Sequence, residues 1–216
     1  MPEGKKPWVI KKDIAQPMKK AIAHLRKSDP VLAQIIDQVG PPRMRYQPAT
    51  FETVVRSIVF QQLSGRVART IYERLATAAT PLTESSVLRL RAPRMRGLGL
   101  SRQKIGYIRD LARKSRAGIV DFEKLPGLPD EEVLAILTQV KGIGIWTAQM
   151  FLLFALRRSD VLPIGDLGIR SAIKKAYELR ELPSPDRIRE IARPWHPYCS
   201  AASWYLWRSL DGIAGL

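Results

Sequence analysis

From Asp29 to Leu210 the apolar residues of the chain return every three or four positions, and strict alternation of apolar and polar residues is rare. That period lines up one face of a helix, not of a strand. DPVLAQIIDQVGPP (Asp29 to Pro42) opens on an acid, carries apolar residues at helical spacing and stops at Gly-Pro-Pro. FETVVRSIVFQQLSGRVARTIYERLATAA (Phe51 to Ala79) reads as two helices parted near Ser64-Gly65. In SRQKIGYIRDLARKS (Ser101 to Ser115) a serine cap precedes Ile105, Ile108 and Leu111 on one face. LPDEEVLAILTQV (Leu128 to Val140) follows, with Asp130 as its expected cap. IWTAQMFLLFAL (Ile145 to Leu156) is apolar on nearly every side, which predicts a helix in the centre of the core. LGIRSAIKKAYEL (Leu167 to Leu179), SPDRIREIAR (Ser184 to Arg193) and PYCSAASWYLWRSL (Pro197 to Leu210) complete the set. The expected class is all-α.

Composition narrows the partners. The 216 residues suffice for one domain or two small lobes, and 36 Lys and Arg against 20 Asp and Glu leave a formal charge of +16. Such a balance favours a polyanion. Nucleic acid is the commonest one, because neutralising phosphates releases counterions, although a basic ribosome-associated protein carries the same signature. A single cysteine, Cys199, excludes a disulfide framework, a cysteine-based zinc site and a four-cysteine iron–sulfur cluster, and two histidines do not make an ordinary histidine-rich metal site. No catalytic metal and no redox cofactor are expected. MPEGKKPWVIKKD at the N-terminus has charge without the apolar run of a signal peptide, and no later stretch approaches a membrane span. Residues 1–15 are expected to form a basic flexible arm, and the protein to work away from membranes, in cytoplasm or nucleoid if bacterial and in the nucleus if eukaryotic.

Two short segments carry the candidate chemistry. In VKGIGIW (Val140 to Trp146), Gly142 and Gly144 permit backbone angles and close approach that side chains obstruct, and the helix that follows begins with unpaired N–H groups at its positive end. This is a phosphate seat, with Ile143 packing inward to pin the turn and Lys141 adding a point charge. A plain turn between two helices has the same tripeptide. In LPIGDLGIR (Leu162 to Arg170) a lone carboxylate, Asp166, sits between Gly165 and Gly168 at a helix start, where it serves as an N-cap or as an exposed acid, or as both.

The whole succession is more specific than either piece: a helix, V-K-G-I-G, a helix opening I-W-T-A, then P-I-G-D-L-G. It closely resembles the helix-hairpin-helix (HhH-GPD) DNA glycosylases, and among them the 3-methyladenine DNA glycosylase II type, which acts on alkylated purines. The resemblance runs from about Asp29 to Asp211 through SIVFQQLSGRVA, GLSRQKIGYIRDLA, the hairpin, LPIGDLGIR and WHPYCSAASWYLWR. It implies one glycosylase domain over 16–216 with a DNA-binding cleft between two lobes, a central helical lobe of about 50–165 and a second of about 16–49 plus 166–216. It implies further that Asp166 is the catalytic aspartate and that the hairpin Val140 to Ile145 anchors double-stranded DNA.

Each implied role has a physical reason. Breaking an N-glycosidic bond builds positive charge on the sugar, which a fixed anion at Asp166 offsets directly or serves by orienting a water. Bifunctional members of the superfamily carry a lysine at the position of Trp146, so a monofunctional enzyme without lyase activity is expected, leaving an abasic site for an abasic-site endonuclease. A purine methylated on its ring is cationic and attracted to aromatic faces, which makes Trp146 the first candidate for the base pocket and Tyr46, Phe51, Trp195 and Tyr198 further ones. Flipping the nucleotide leaves a gap; Gln61, Gln62, Leu63 and Ser64 are placed by the resemblance on the loop that enters the minor groove, with Leu63 or Gln62 as the wedge. Phosphate contacts are expected at Gly142, Gly144 and Trp146, helped by Lys141 and by a second turn with Ser101 and Lys104, with Ile143 counted in the DNA-binding hairpin, and a monovalent cation, sodium or potassium, on the carbonyls of Val140 and Ile143. One departure stands out: relatives commonly read W-R-P-Y-R-S where this chain has WHPYCS, so His196 and Cys199 replace arginines. A monomer is expected, since one hairpin and one wedge suffice. A glycosylase for deaminated or mismatched bases, or a non-catalytic DNA-binding scaffold, stays open as an alternative.

Overall fold

The computed structural model describes the backbone of residues 15–211 and the side chains of residues 18–210, so the expected basic arm lies almost wholly outside the described residues. Twelve α-helices and two short 3-10 turns account for the regular structure among them, with no strand. No helix among the described residues is long and apolar enough to cross a membrane.

The helices form two compact units. The first takes the residues up to Gln47 together with those from Arg157 onward; the second is the continuous segment Pro48–Leu156. The chain passes between them at Leu156, earlier than the expected boundary near 165, because residues 158–161 are bonded to the final helix of the first unit. Ser200 Oγ donates to the Arg158 carbonyl at 2.6 Å and accepts from Val161 N–H at 2.9 Å.

In the first unit, α1 (Ala15–Ser28) and α2 (Pro30–Val39) precede α10 (Leu167–Ala176), α11 (Pro185–Ala192) and α12 (Cys199–Asp211). α12 packs on α2 and on α10, and its Tyr205 and Leu206 are fully buried along with Leu25, Leu32 and Ile173. Burying such side chains stabilises the unit by roughly 1.5–3 kcal/mol each. Asp29 holds the start of α2: its Oδ1 accepts from the N–H groups of Val31 and Leu32, while Oδ2 accepts from Trp195 Nε1 at 2.7 Å and from the Tyr177 hydroxyl. Four donors thus satisfy a carboxylate that is almost fully buried.

The second unit contains α3 (Phe51–Phe60), α4 (Gly65–Ala78), α5 (Glu84–Arg89), α6 (Ala92–Gly97), α7 (Arg102–Arg116), α8 (Asp130–Thr138) and α9 (Ile145–Phe154). The long run from Phe51 divides at Ser64, as its sequence predicts. Ser101 caps α7 by accepting from Lys104 N–H at 3.1 Å. Asp130 is not the cap of α8. Pro129 occupies that position, and Asp130, Glu131 and Glu132 instead fill the first turn, where their charge favours the positive helix end. Ala148, Phe151, Leu152 and Leu153 of α9 are buried, whereas Ile145 and Trp146 in its first turn are 55% and 51% exposed, so this helix enters the core only from its second turn.

Candidate functional site

The second unit presents a braced hairpin. After α8 the chain turns at Val140–Gly144, with Ile143 N–H bonded to the Val140 carbonyl at 3.0 Å and the Ile143 side chain buried, as its place between two glycines predicts. Gly142 has φ +81°, and a β-carbon there would lie 2.1 Å from Cδ2 of Tyr107 on α7. Only glycine fits. Lys141 N–H donates to Asp110 Oδ2 at 2.9 Å, the oxygen that also takes Lys114 Nζ at 2.7 Å. Burial opposes ionisation of Asp110, but the hydrogen bonds from Lys114 and from the Lys141 backbone win and hold its carboxyl below the usual 3.8. α9 then begins after the N-cap residue Gly144, which offers no side-chain cap, and Lys141 is exposed beside this helix start.

The loop between α3 and α4 is fastened to that hairpin. Gln61 Nε2 donates to the Gly142 carbonyl at 2.9 Å, and Lys104 Nζ donates to the carbonyls of Val59 and Gln61 at 2.7 Å each. Burial lowers the Lys104 pKa. The polar ends of both residues, expected from the sequence at DNA, are turned here to the protein's own carbonyls, where they brace the loop. Between them Gln62 adopts φ +54°, and Leu63 is 38% exposed, an apolar side chain held out from a fixed loop next to the exposed Ser64. Ser101, at the second turn, is exposed while its hydroxyl caps α7.

The first unit holds the acid. Asp166 is half-buried at the start of α10, in a turn closed by its own N–H on the Pro163 carbonyl at 2.9 Å. Its Oδ1 accepts twice, from Ile169 N–H at 2.8 Å and from Trp207 Nε1 of α12 at 2.8 Å. A β-carbon on Gly168 would stand 2.9 Å from that oxygen and 3.1 Å from Trp207 Cδ1, so a side chain there would crowd both the carboxylate and its indole donor. The capping role read from the sequence is present; the indole donor, 41 positions away, has no local sequence signal.

The aromatic candidates divide by burial. Trp146 is half-exposed at the hairpin helix. Tyr46 is half-buried with the Arg157 guanidinium 5.1 Å from its ring centre, and burial raises its pKa; Tyr198 is half-buried against the His24 ring. Trp195 and Phe51 are not pocket walls. Trp195 is fully buried and bonded to Asp29, and Phe51 is stacked edge-on in a core cluster with Phe122, which in turn meets Phe151.

His196 and Cys199, the departures in WHPYCS, meet Asp160. His196 Nδ1 lies 2.7 Å from Asp160 Oδ2 and 3.6 Å from Cys199 Sγ, and Cys199 N–H donates to Asp160 Oδ1 at 3.2 Å. Burial, then Asp160 beside it, pushes the Cys199 thiol well up from its ordinary value. Burial works against the Asp160 carboxylate as well, yet the hydrogen bonds from His196 and Cys199 hold its pKa down. The single cysteine is thus part of a mixed cluster, which a count of cysteines and histidines did not foresee.

Residues 55–197 match the model of the HhH-GPD superfamily base excision DNA repair proteins. DNA-3-methyladenine glycosylase 1 of Schizosaccharomyces pombe is 30% identical over 206 residues, 92% of this chain and 90% of that protein. The solved structure of that organism's 3-methyladenine DNA glycosylase (Mag1) in complex with abasic DNA superposes with a TM-score of 0.79, covering 89% of this chain and 97% of the other at 30% identity. A DNA-3-methyladenine glycosidase from Bacillus halodurans, 34% identical, gives 0.81 over 92% and 91% of the two chains. With an all-helical fold, a glycine hairpin before a helix and an aspartate at the next helix start, this chain belongs to the HhH-GPD superfamily of base excision DNA repair proteins.

Proposed function

We propose that the protein is a monofunctional DNA glycosylase of base excision repair, hydrolysing the N-glycosidic bond of alkylated purines in duplex DNA, 3-methyladenine first and 7-methylguanine second. The observation that carries this reading is the seat of Asp166. One oxygen of a half-buried carboxylate is fixed by a backbone N–H and an indole N–H, beside a glycine whose β-carbon would crowd it. A fixed anion of this kind is what a sugar gaining positive charge requires. As the C1′–N bond breaks its electrons leave with the base; an alkylated purine is cationic before cleavage and departs neutral, and water supplies the oxygen that C1′ gains while its surplus proton passes to the Asp166 carboxylate and on to solvent.

The positive start of α9, behind a glycine turn and with the exposed Lys141 beside it, suits a phosphate and supports DNA anchoring. The same turn suits a monovalent cation on the carbonyls of Val140 and Ile143, since Val140 O accepts one internal bond and keeps a second lone pair; the ion would add positive charge near the phosphate. Leu63, apolar, exposed and on a braced loop, is the wedge that fills the gap left by a flipped nucleotide, and Trp146 is the aromatic surface for the base. Trp146 stands where a lyase would need lysine, so the product is an intact strand with an abasic site, which an abasic-site endonuclease consumes. The protein acts as a monomer wherever the genome is kept.

The deciding experiment is base release from duplex DNA carrying labelled 3-methyladenine and 7-methylguanine, with products run before and after alkali. Free base from the wild type, strand breaks only after alkali, and a loss on the order of a hundredfold or more in Asp166→Asn are expected. Asparagine keeps an acceptor for Ile169 and Trp207 and removes the charge. No release despite salt-sensitive DNA binding would overturn the substrate assignment, and uracil- or hypoxanthine-containing duplexes would then separate another glycosylase from a binding scaffold.

A further inference from the structure

Six positions before Asp166 the chain runs along the start of α12, and three side chains converge there from separate pieces of backbone. Asp160 comes from the loop, His196 from the end of the 3-10 turn Arg193–Trp195, and Cys199 from the first residue of α12. Asp160 Oδ2, His196 Nδ1 and Cys199 Sγ all lie within 4.8 Å of one another. The backbone under them is fixed independently: Ser200 N–H donates to the Ser159 carbonyl at 3.0 Å, and the Ser200 hydroxyl joins Arg158 to Val161. These donors are held together by main-chain bonds that do not depend on the three side chains themselves.

One carboxylate oxygen, one imidazole nitrogen and one sulfur form a donor set suited to a borderline-soft divalent ion. Tetrahedral ligands at ordinary zinc–sulfur and zinc–nitrogen lengths place S and N about 3.5 Å apart. The separation of Cys199 Sγ from His196 Nδ1 is 3.6 Å. Oxygen and nitrogen would need to part to about 3.3 Å, from 2.7 Å now, and the His196 and Asp160 side chains, 53% and 36% exposed, have room to do so. Asp160 divides its work between its oxygens: Oδ1 takes the Cys199 N–H while Oδ2 faces the cluster, so capping α12 and ligating an ion are compatible. A dication, a thiolate and a carboxylate sum to zero charge, so the occupied site would carry no net charge of its own. Both departures from the W-R-P-Y-R-S pattern supply donors, and they are the nitrogen and the sulfur.

We propose that Asp160 Oδ2, His196 Nδ1 and Cys199 Sγ bind one zinc ion, which ties the loop leading into Asp166 to the first residue of α12. On binding, the thiol proton leaves to solvent, the imidazole carries its proton on Nε2, and a fourth position is left to water. The role is positional: α12 would hold the loop through the metal at one end and Asp166 through Trp207 further along, independently of which base is excised.

The full chain, stripped with a chelator, is titrated first with cobalt(II) and then with zinc. One equivalent of cobalt is expected to give a thiolate-to-metal charge-transfer band with tetrahedral visible absorption, zinc to abolish both, and zinc to raise the thermal midpoint. Cys199→Ser should lose the band, and His196→Gln, at an exposed position, should bind zinc at least tenfold more weakly with unchanged circular dichroism. A folded wild type that shows no thiolate band with excess cobalt overturns the proposal, and so does unchanged zinc affinity in His196→Gln. These two readings decide the matter even where Cys199→Ser does not fold.

Discussion

Tyr107 lies against Gly142 so closely that no other residue can stand at the hairpin's turn: a β-carbon would meet the ring at 2.1 Å, on a backbone already at φ +81°. The ring therefore supports the turn from beneath, while Gln61 holds the Gly142 carbonyl from the side.

Gly142→Ala is expected to lose DNA binding by at least tenfold and to destabilise the protein by roughly 1–3 kcal/mol, combining a strained φ with overpacking. Trimming the ring as well, in Tyr107→Ala, should recover part of the stability and little of the binding, because the φ penalty stays. Denaturant titration and DNA affinity measured on both variants check this; equal binding by Gly142→Ala and wild type would contradict it.

Trp207→Phe removes one donor from Asp166 Oδ1 while the Ile169 cap remains. Stability should fall by about 1 kcal/mol, and base release by more than DNA binding does, since the anion would be less firmly aimed. Single-turnover release at saturating enzyme separates the two effects.

Lys104 and Lys141 should part company in a salt titration. Lys141→Ala is expected to weaken DNA binding and to shallow the log–log salt dependence by about one unit, the mark of a lost phosphate contact. Lys104→Met, which releases the carbonyls of Val59 and Gln61, should weaken binding through a loosened loop and leave the salt slope unchanged. A slope change of the same size in Lys104→Met would mean that its ammonium does reach DNA.

Asp110 gives the hairpin a dependence on acid. Its carboxyl is held below 3.8, so the stability it contributes is complete above that value and is lost as pH falls through the depressed pKa. Asp110→Asn should therefore destabilise the protein at neutral pH and narrow its gap to the wild type in the acid limb. Thermal midpoints measured between neutral pH and about pH 3 test this; a constant gap would show that charge is not the source.

The parts of the site legible in the sequence are those that local rules govern. Gly-x-Gly before an apolar helix marks the hairpin, a serine before Arg102 marks a cap, and Asp166 before Leu-Gly-Ile-Arg marks a helix start. The short helices Glu84–Arg89 and Ala92–Gly97 are six residues each, too brief for a periodic pattern, and α1 is rich in lysine and opens near a proline. Partnerships between distant residues left no trace either: Trp207 with Asp166, Trp195 with Asp29, and Lys104 with the end of α3. Aromatic residue type alone cannot tell a pocket wall from a core residue, which is why Trp195 and Phe51 read as candidates and are packed inside.

The second unit is one unbroken stretch of chain, whereas the first is assembled from residues on either side of it. During synthesis the hairpin, its braced loop and their supporting helices are all in hand once Leu156 has emerged. The acid must wait: α2, which packs on α1 early, gains α12, and Asp166 its indole, only when α12 has been made. A ribosome stalled between those points would carry a chain with its hairpin complete and the seat of Asp166 not yet assembled.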